Sequence, residues 1–198
     1  MAQIAQAQKK AELDALFDFI LADKGQTGAL YFIADENDLR YGLKQPWVSI
    51  GLDASEMPPD GPLFEPNTHP RTMSSMPRFL GHYVRDERLI PLPEAIRRIT
   101  SMPAQRYHFV DRGLIETGFY ADITVFNPNT IADRATYNQP TLVSTGIDDV
   151  VVNGKIEYED GKLTGAKGGR PLYGASRMRM GRARTENAGQ VGPTDGPK

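Results

Sequence analysis

Asp53 closes the segment Trp47-Val48-Ser49-Ile50-Gly51-Leu52-Asp53, and its type and setting make it the first residue to examine for chemistry. The residues before it are apolar and β-rich. A long loop with Pro58, Pro59, Pro62, Pro66 and Pro70 follows and carries His69-Pro70-Arg71. A carboxylate at the C-terminal end of a buried strand stands where α/β barrels keep their chemistry. The plainer alternative is a helix cap or a turn aspartate. Arg71 offers a guanidinium fork suited to a carboxylate through paired charge-assisted bonds, or it anchors the loop through a surface salt bridge. His69 can bind a metal or hydrogen-bond a substrate, and its other reading, which is favoured, is to fix the loop. Arg78 follows a proline at a helix start and reads as structural. His82 and His108 have no neighbour at ligand spacing and read as packing or surface residues.

The elements that would position these residues are legible from periodicity. Leu13, Leu16, Phe17, Ile20 and Leu21 form a helical stripe across residues 11–23, stopped at Gly25. Thr27 to Ala34 is a short apolar run that predicts a buried strand. Asp35-Glu36-Asn37-Asp38 opens a helix that Pro46 ends, with its acidic residues at the positive end of the dipole. Trp47 to Leu52 is the next strand. Strand, helix and strand in about 25 residues predict a βαβ unit with parallel strands. A loop as long as Ala54 to Ser75 is usually kept for function. Helices are expected from about Pro77 through Arg85 and from Pro93, the latter with Ala95, Ile96, Ile99 and Met102 facing inward. After His108 the pattern turns to short strands at residues 113–118, 121–126 and 149–156. Asn153-Gly154 gives a hairpin signal and Glu159-Asp160-Gly161 a further turn. From Gly174 the chain is Gly-, Arg- and polar-rich, with too little apolar content to fold. Arg177, Arg179, Arg182 and Arg184 there read as a solvated tail rather than an anion site.

Composition narrows the function classes. The 198 residues carry a net charge of −2 with 24% charged residues, which argues against a nucleic-acid or membrane role spread along the chain. There is no cysteine, hence no disulfide framework and no thiolate metal site. Met1 to Lys10 lacks the apolar stretch of a signal peptide, so a cytoplasmic location is expected.

Several motifs occur in order: Pro46-Trp47-Val48-Ser49-Ile50-Gly51-Leu52-Asp53, His69-Pro70-Arg71, Met76-Pro77-Arg78-Phe79-Leu80-Gly81 and Ala95-Ile96-Arg97-Arg98-Ile99-Thr100-Ser101-Met102-Pro103-Ala104. Asp111-Arg112-Gly113-Leu114-Ile115 and Gly118-Phe119-Tyr120-Ala121-Asp122-Ile123 complete the series. From about Leu13 to about Gly169 the chain resembles the C-terminal part of N-acyl-D-amino-acid deacylases (D-aminoacylases) of the amidohydrolase superfamily. The resemblance implies an α/β fold: the last βα elements of a metal-dependent (β/α)8 TIM barrel over residues 11–110. A small β module over 111–172, part of a composite β-sandwich, and a disordered tail over 173–198 would follow. It also implies zinc as cofactor and hydrolysis of the amide of an N-acyl-D-amino acid to a carboxylate and a free D-amino acid. Carried over, Asp53 is the metal-holding carboxylate and proton shuttle. Arg71 is the anchor of the substrate carboxylate, with His69 beside it. Where the family usually reads Gly-Ser-Asp-Gly, this chain has Gly51-Leu52-Asp53-Ala54.

What is missing weighs equally. Catalytic zinc normally takes three protein ligands, and amidohydrolases draw theirs from a His-x-His pair on the first barrel strand and from middle strands. No His-x-His occurs here. A whole barrel needs about 250 residues. The expectation is therefore a C-terminal portion, fragment or split subunit of a deacylase, inactive alone. Its remaining metal ligands would come from a partner chain carrying the N-terminal barrel half, or from self-association. The alternative is a non-catalytic assembly subunit or remnant. A dihydroorotase or hydantoinase relative is disfavoured by the His-Pro-Arg and Met-Pro-Arg-Phe-Leu-Gly motifs. Parallel strands without the rest of a barrel would leave unpaired edges, so oligomerisation, partner binding or poor solubility is expected.

Overall fold

The computed structural model describes residues 1–26, 28, 33–54, 62–64 and 68–173. The chain divides into two compact units, Met1–Leu39 and Arg40–Lys198. The first contains α1 (Ala2–Gln8) and α2 (Glu12–Ala22), which pack with Ala5 and Ala15 buried. The α2 helix is the one expected from its stripe, yet Leu13, Phe17 and Leu21 on that stripe are more than half exposed. The strand expected at Thr27 to Ala34 falls mostly outside the described residues; Ile33 and Ala34, which are described, belong to no strand. Helix α3 (Glu36–Lys44) begins as read, with the Asp35 carboxylate accepting from the Asn37 N–H at 2.7 Å.

The second unit is built around one core. Helix α4 (Arg71–Arg78) starts earlier than the expected Pro77, because His69-Pro70 already turns the chain into helix. It runs directly into a π-helix (Phe79–Asp86). Pro77 has no N–H to continue the α ladder, and the widened turns begin two residues after it. Phe79, Leu80, Tyr83 and Val84 from these turns join Leu43, Ile90, Ala95 and Ile131 in the buried cluster. The helix expected from Pro93 appears as two pieces, α5 (Leu92–Ile99) and α6 (Ser101–Arg106), broken at Thr100. Ala95 and Met102 are buried as read, and Ile96 and Ile99 pack against the core.

The sheet has four antiparallel strands in order: β1 (Ile123–Phe126), β2 (Ile147–Val152), β3 (Lys155–Glu159) and β4 (Lys162–Leu163). Both two-residue turns form where expected. Asn153 and Gly154 have φ of 49° and 78°, and Asp160 and Gly161 have 50° and 80°, the positive pairs that match the twist of a hairpin. The strand expected at 113–118 does not form. Gly113 and Gly118, at φ of 87° and 92°, turn the chain instead, and Gly113 lies against Ala104 and the Thr100–Ser101 backbone. Phe126 and Ile147 pack against the helical cluster, so helices and sheet share a core across residues 110 and 111. Trp47 to Asp53 joins no ladder among the described residues, all of whose strands lie between Ile123 and Leu163. The parallel pair expected there is thus not seen. A strand needs a neighbour to satisfy its backbone groups, and the one expected for it lies mostly outside the described residues.

Arginines take over part of that backbone satisfaction. Arg98, only 2% exposed, donates to the Leu43 carbonyl at the end of α3. Arg97 donates to the Pro46 carbonyl at 3.0 Å and Arg106 to that of Trp47 at 2.8 Å. Three guanidinium groups from α5 and α6 therefore hold the chain that leads to Asp53. Glu94 organises two of them, accepting from Arg97 and Arg98 at 2.7–2.8 Å. These bonds hold its carboxyl at about 2, well below its ordinary 4.5. The unfolded chain then takes up this proton at higher pH than the folded chain does. The stabilisation is complete above about 4.5 and is lost as the pH falls through about 2. Urea titrations between those limits are expected to show a stability slope that Glu94→Gln flattens; an unchanged slope would remove Glu94 from the account.

Candidate functional site

The segment held by these arginines ends at Asp53, whose backbone sits in the left-handed region at φ 44°. Aspartate tolerates this conformation better than most residues, because its short polar side chain can bond locally. The turn leaves the carboxylate side chain 93% exposed, and its Oδ2 lies 3.0 Å from Nη2 of Arg71. Arg71 is the first residue of α4, where a backbone N–H has no intrahelical acceptor. His69 supplies one: its Nδ1 accepts the Arg71 N–H at 3.0 Å. The other ring nitrogen, Nε2, lies 3.3 Å from the hydroxyl of Tyr137, and the two rings meet edge to face at 5.3 Å. Burial and the Arg71 guanidinium both hold the His69 imidazole below its ordinary pKa, which favours the neutral ring that this geometry needs. The structure thus brings Asp53 to the His69–Arg71 pair, from which the Pro-rich loop separates it in sequence.

The remaining sequence candidates lie elsewhere. Arg78 donates to Asp133 at 3.1 Å and lies over the Tyr83 ring, a tie between the helix and the segment after β1. His82 pairs with Glu87 at 3.0 Å, and Glu87 also receives Arg40. The tail arginines Arg177, Arg179, Arg182 and Arg184 are outside the described residues. Sequence reading did not find Tyr137, which is 68 positions from His69 and belongs to no motif. Nor did it find the clamping role of Arg97, Arg98 and Arg106, since their acceptors are carbonyls that carry no side-chain signature.

The site as it stands does not fit a zinc ion. Asp53 is taken up by Arg71, and both ring nitrogens of His69 face partners within the chain. Among the described residues there is no group of three or more His, Cys, Asp or Glu able to hold a metal. The arrangement provides a solvent-facing carboxylate beside a guanidinium, chemically a proton carrier next to an anion anchor. Among the described residues no helix is long and apolar enough to cross a membrane.

The chain belongs to the amidohydrolase family, whose model matches residues 57–158, just over half of the sequence. Its relatives point more narrowly. It is 35% identical over 170 residues to a D-aminoacylase of Alcaligenes xylosoxydans xylosoxydans, an alignment covering 86% of this chain and 33% of that protein. An N-acyl-D-glutamate deacylase of the same organism is 40% identical over 127 residues, covering 64% of this chain and 25% of the relative. A D-aminoacylase crystal structure aligns with a TM-score of 0.70 at 37% identity, over 86% of this chain and 33% of its own. The N-acyl-D-glutamate deacylase of Bordetella bronchiseptica, solved with zinc and a phosphonate inhibitor, aligns at 0.66 and 35%, over 84% of this chain and 32% of its own. The chain therefore spans a quarter to a third of the length of the relatives it matches.

Proposed function

We propose that this chain is the C-terminal portion or a subunit of an N-acyl-D-amino-acid deacylase and is inactive alone, its remaining metal ligands coming from a partner chain that carries the N-terminal barrel half or from self-association. In this reading residues 11–110 are the end of the barrel, 111–172 a share of a β-sandwich and 173–198 a tail. The reaction adds the hydroxyl of water to the acyl carbon, breaks the C–N bond and delivers a proton to the leaving nitrogen. Acid and free D-amino acid result. Asp53 takes the proton from water and gives it to the amine. Arg71 holds the α-carboxylate of the substrate, exchanging its pairing with Asp53 for a pairing with the ligand, and His69 keeps Arg71 in place. Zinc, bound by donors contributed from outside this chain, would supply activation of the water and polarisation of the amide carbonyl. The observation that carries the reading is the exposed Asp53–Arg71 pair at 3.0 Å, with the carboxylate turned out at the end of the segment that the arginines clamp.

A second reading, a non-catalytic assembly subunit or remnant, is favoured by the missing three-donor cluster among the described residues and by the exposed apolar stripe of α2. One experiment separates the two. The purified chain is expected to bind no stoichiometric zinc in chelator competition and to leave N-acetyl-D-amino acids intact. Mixed or co-expressed with a chain carrying the His-x-His half of a deacylase barrel, it is expected to gain zinc and hydrolysis. Hydrolysis by the chain alone would overturn the need for a partner. A stable complex that binds zinc but never hydrolyses would establish the assembly reading.

A further inference from the structure

We propose that Tyr137 is a positioning residue for Arg71, acting through the imidazole of His69. This rests on the reading of Arg71 as the carboxylate anchor and adds a residue that no motif marked. The hydrogen bonds fix their own directions. A backbone N–H can only donate, so Nδ1 of His69, which receives it from Arg71 at 3.0 Å, carries no proton. In the neutral ring the proton is then on Nε2, and Nε2 donates to the Tyr137 hydroxyl oxygen at 3.3 Å. Tyr137 therefore holds the outer end of a ring whose inner end caps the first N–H of α4. That N–H belongs to the residue that carries the guanidinium. The edge-to-face packing of the two rings fixes the remaining rotation. Asp53 stands at the far end of the same line, 3.0 Å from the Arg71 fork. A tyrosine in the segment after β1 thus sets how firmly Arg71 is presented beside the catalytic carboxylate.

The test uses the full chain with 15N-labelled histidine. The His69 ring is expected to show one dominant form, protonated at Nε2. Tyr137→Phe keeps the ring packing and removes only the hydroxyl, and Tyr137 is 62% exposed, so folding is not at stake. In this variant the His69 nitrogen signals are expected to move toward those of an imidazole sampling both neutral forms. The Arg71 amide is expected to exchange with solvent about threefold faster, the scale of one exposed hydrogen bond. Tyr137→Ala, which also loses the packing, should do so more strongly. Unchanged ring signals and unchanged Arg71 exchange in both variants would overturn the proposal. In the complemented enzyme Tyr137→Phe should raise KM about threefold with kcat held, because a looser anchor weakens ground-state and transition-state binding alike. If the ring and amide respond while KM ignores both Tyr137→Phe and Arg71→Lys, the anchor reading of Arg71 falls and the Tyr137–His69–Arg71 coupling stands.

Discussion

Asp53→Asn in the complemented enzyme is expected to lower kcat about a thousandfold while leaving the chain folded. Loss of a positioned acid–base group costs about 10²–10⁴ in rate, and Asn keeps the shape of the side chain while losing its ability to hold a proton. The position favours a clean result. The carboxylate is 93% exposed and paired with Arg71, so the pair belongs to the surface class of salt bridges worth about 0–1 kcal/mol. Asn also accepts the left-handed backbone at φ 44° as readily as Asp does. Stability should therefore stay within about 0.5 kcal/mol of the parent. These magnitudes separate the two roles available to the residue. A loop-anchoring aspartate would show a small stability change and no kinetic effect. Steady-state kinetics on the reconstituted pair, with a urea titration of the variant chain, decide between them.

What was legible in the sequence follows from how local each signal is. Helices α2 and α3 came through because a stripe, an acidic first turn and a stop residue all lie within a dozen positions. The β2–β3 and β3–β4 turns came through because Asn-Gly and Asp-Gly carry their own backbone preference. Residues 113–118 read as a short strand from sequence, yet a short glycine-bounded run forms one only where a neighbour can pair with it. Gly113, which looks like a strand boundary, is instead a left-handed turn lying against Ala104 and Ser101 of α6. The Asp53 site was legible as residues but not as geometry. Asp53, His69 and Arg71 were found as ordered motifs, whereas the caps that fix them come from Tyr137, Arg97 and Arg106 at long sequence separations. The widened turns of Phe79–Asp86 had only Pro77 as a herald, and a proline in a helical pattern signals a break more often than a change of pitch.

Gly146→Ala tests whether the sheet and the helices depend on a shared core, and it is expected to cost about 3 kcal/mol or more. Gly146 leads into β2 at φ 83°, where a side chain is strained, and a Cβ there would stand 2.5 Å from the backbone N and Cα of Ile131. Backbone cannot step aside as a flexible side chain does. The left-handed conformation costs roughly 1–2 kcal/mol for a residue with a Cβ, and overpacking typically adds about 1–3 kcal/mol. Ile131 is 3% exposed and packs in the cluster that contains Leu80 and Val84, so displacing it disturbs the helical side of the core. For a chain of this size the melting temperature should fall by about 6–12 °C. Gly81→Ala makes the complementary test from the π-helix, because its Cβ would run into the carbonyl oxygen of the same Ile131. If each variant costs several kcal/mol and the double variant costs less than their sum, one contact region joins the two halves. Two independent losses that add in full would mean that helices and sheet are stabilised separately. In the complemented enzyme Gly146→Ala should reduce active material in proportion to the unfolded fraction while KM stays fixed. Asp53→Asn should do the reverse, leaving the amount of folded protein alone and removing the turnover.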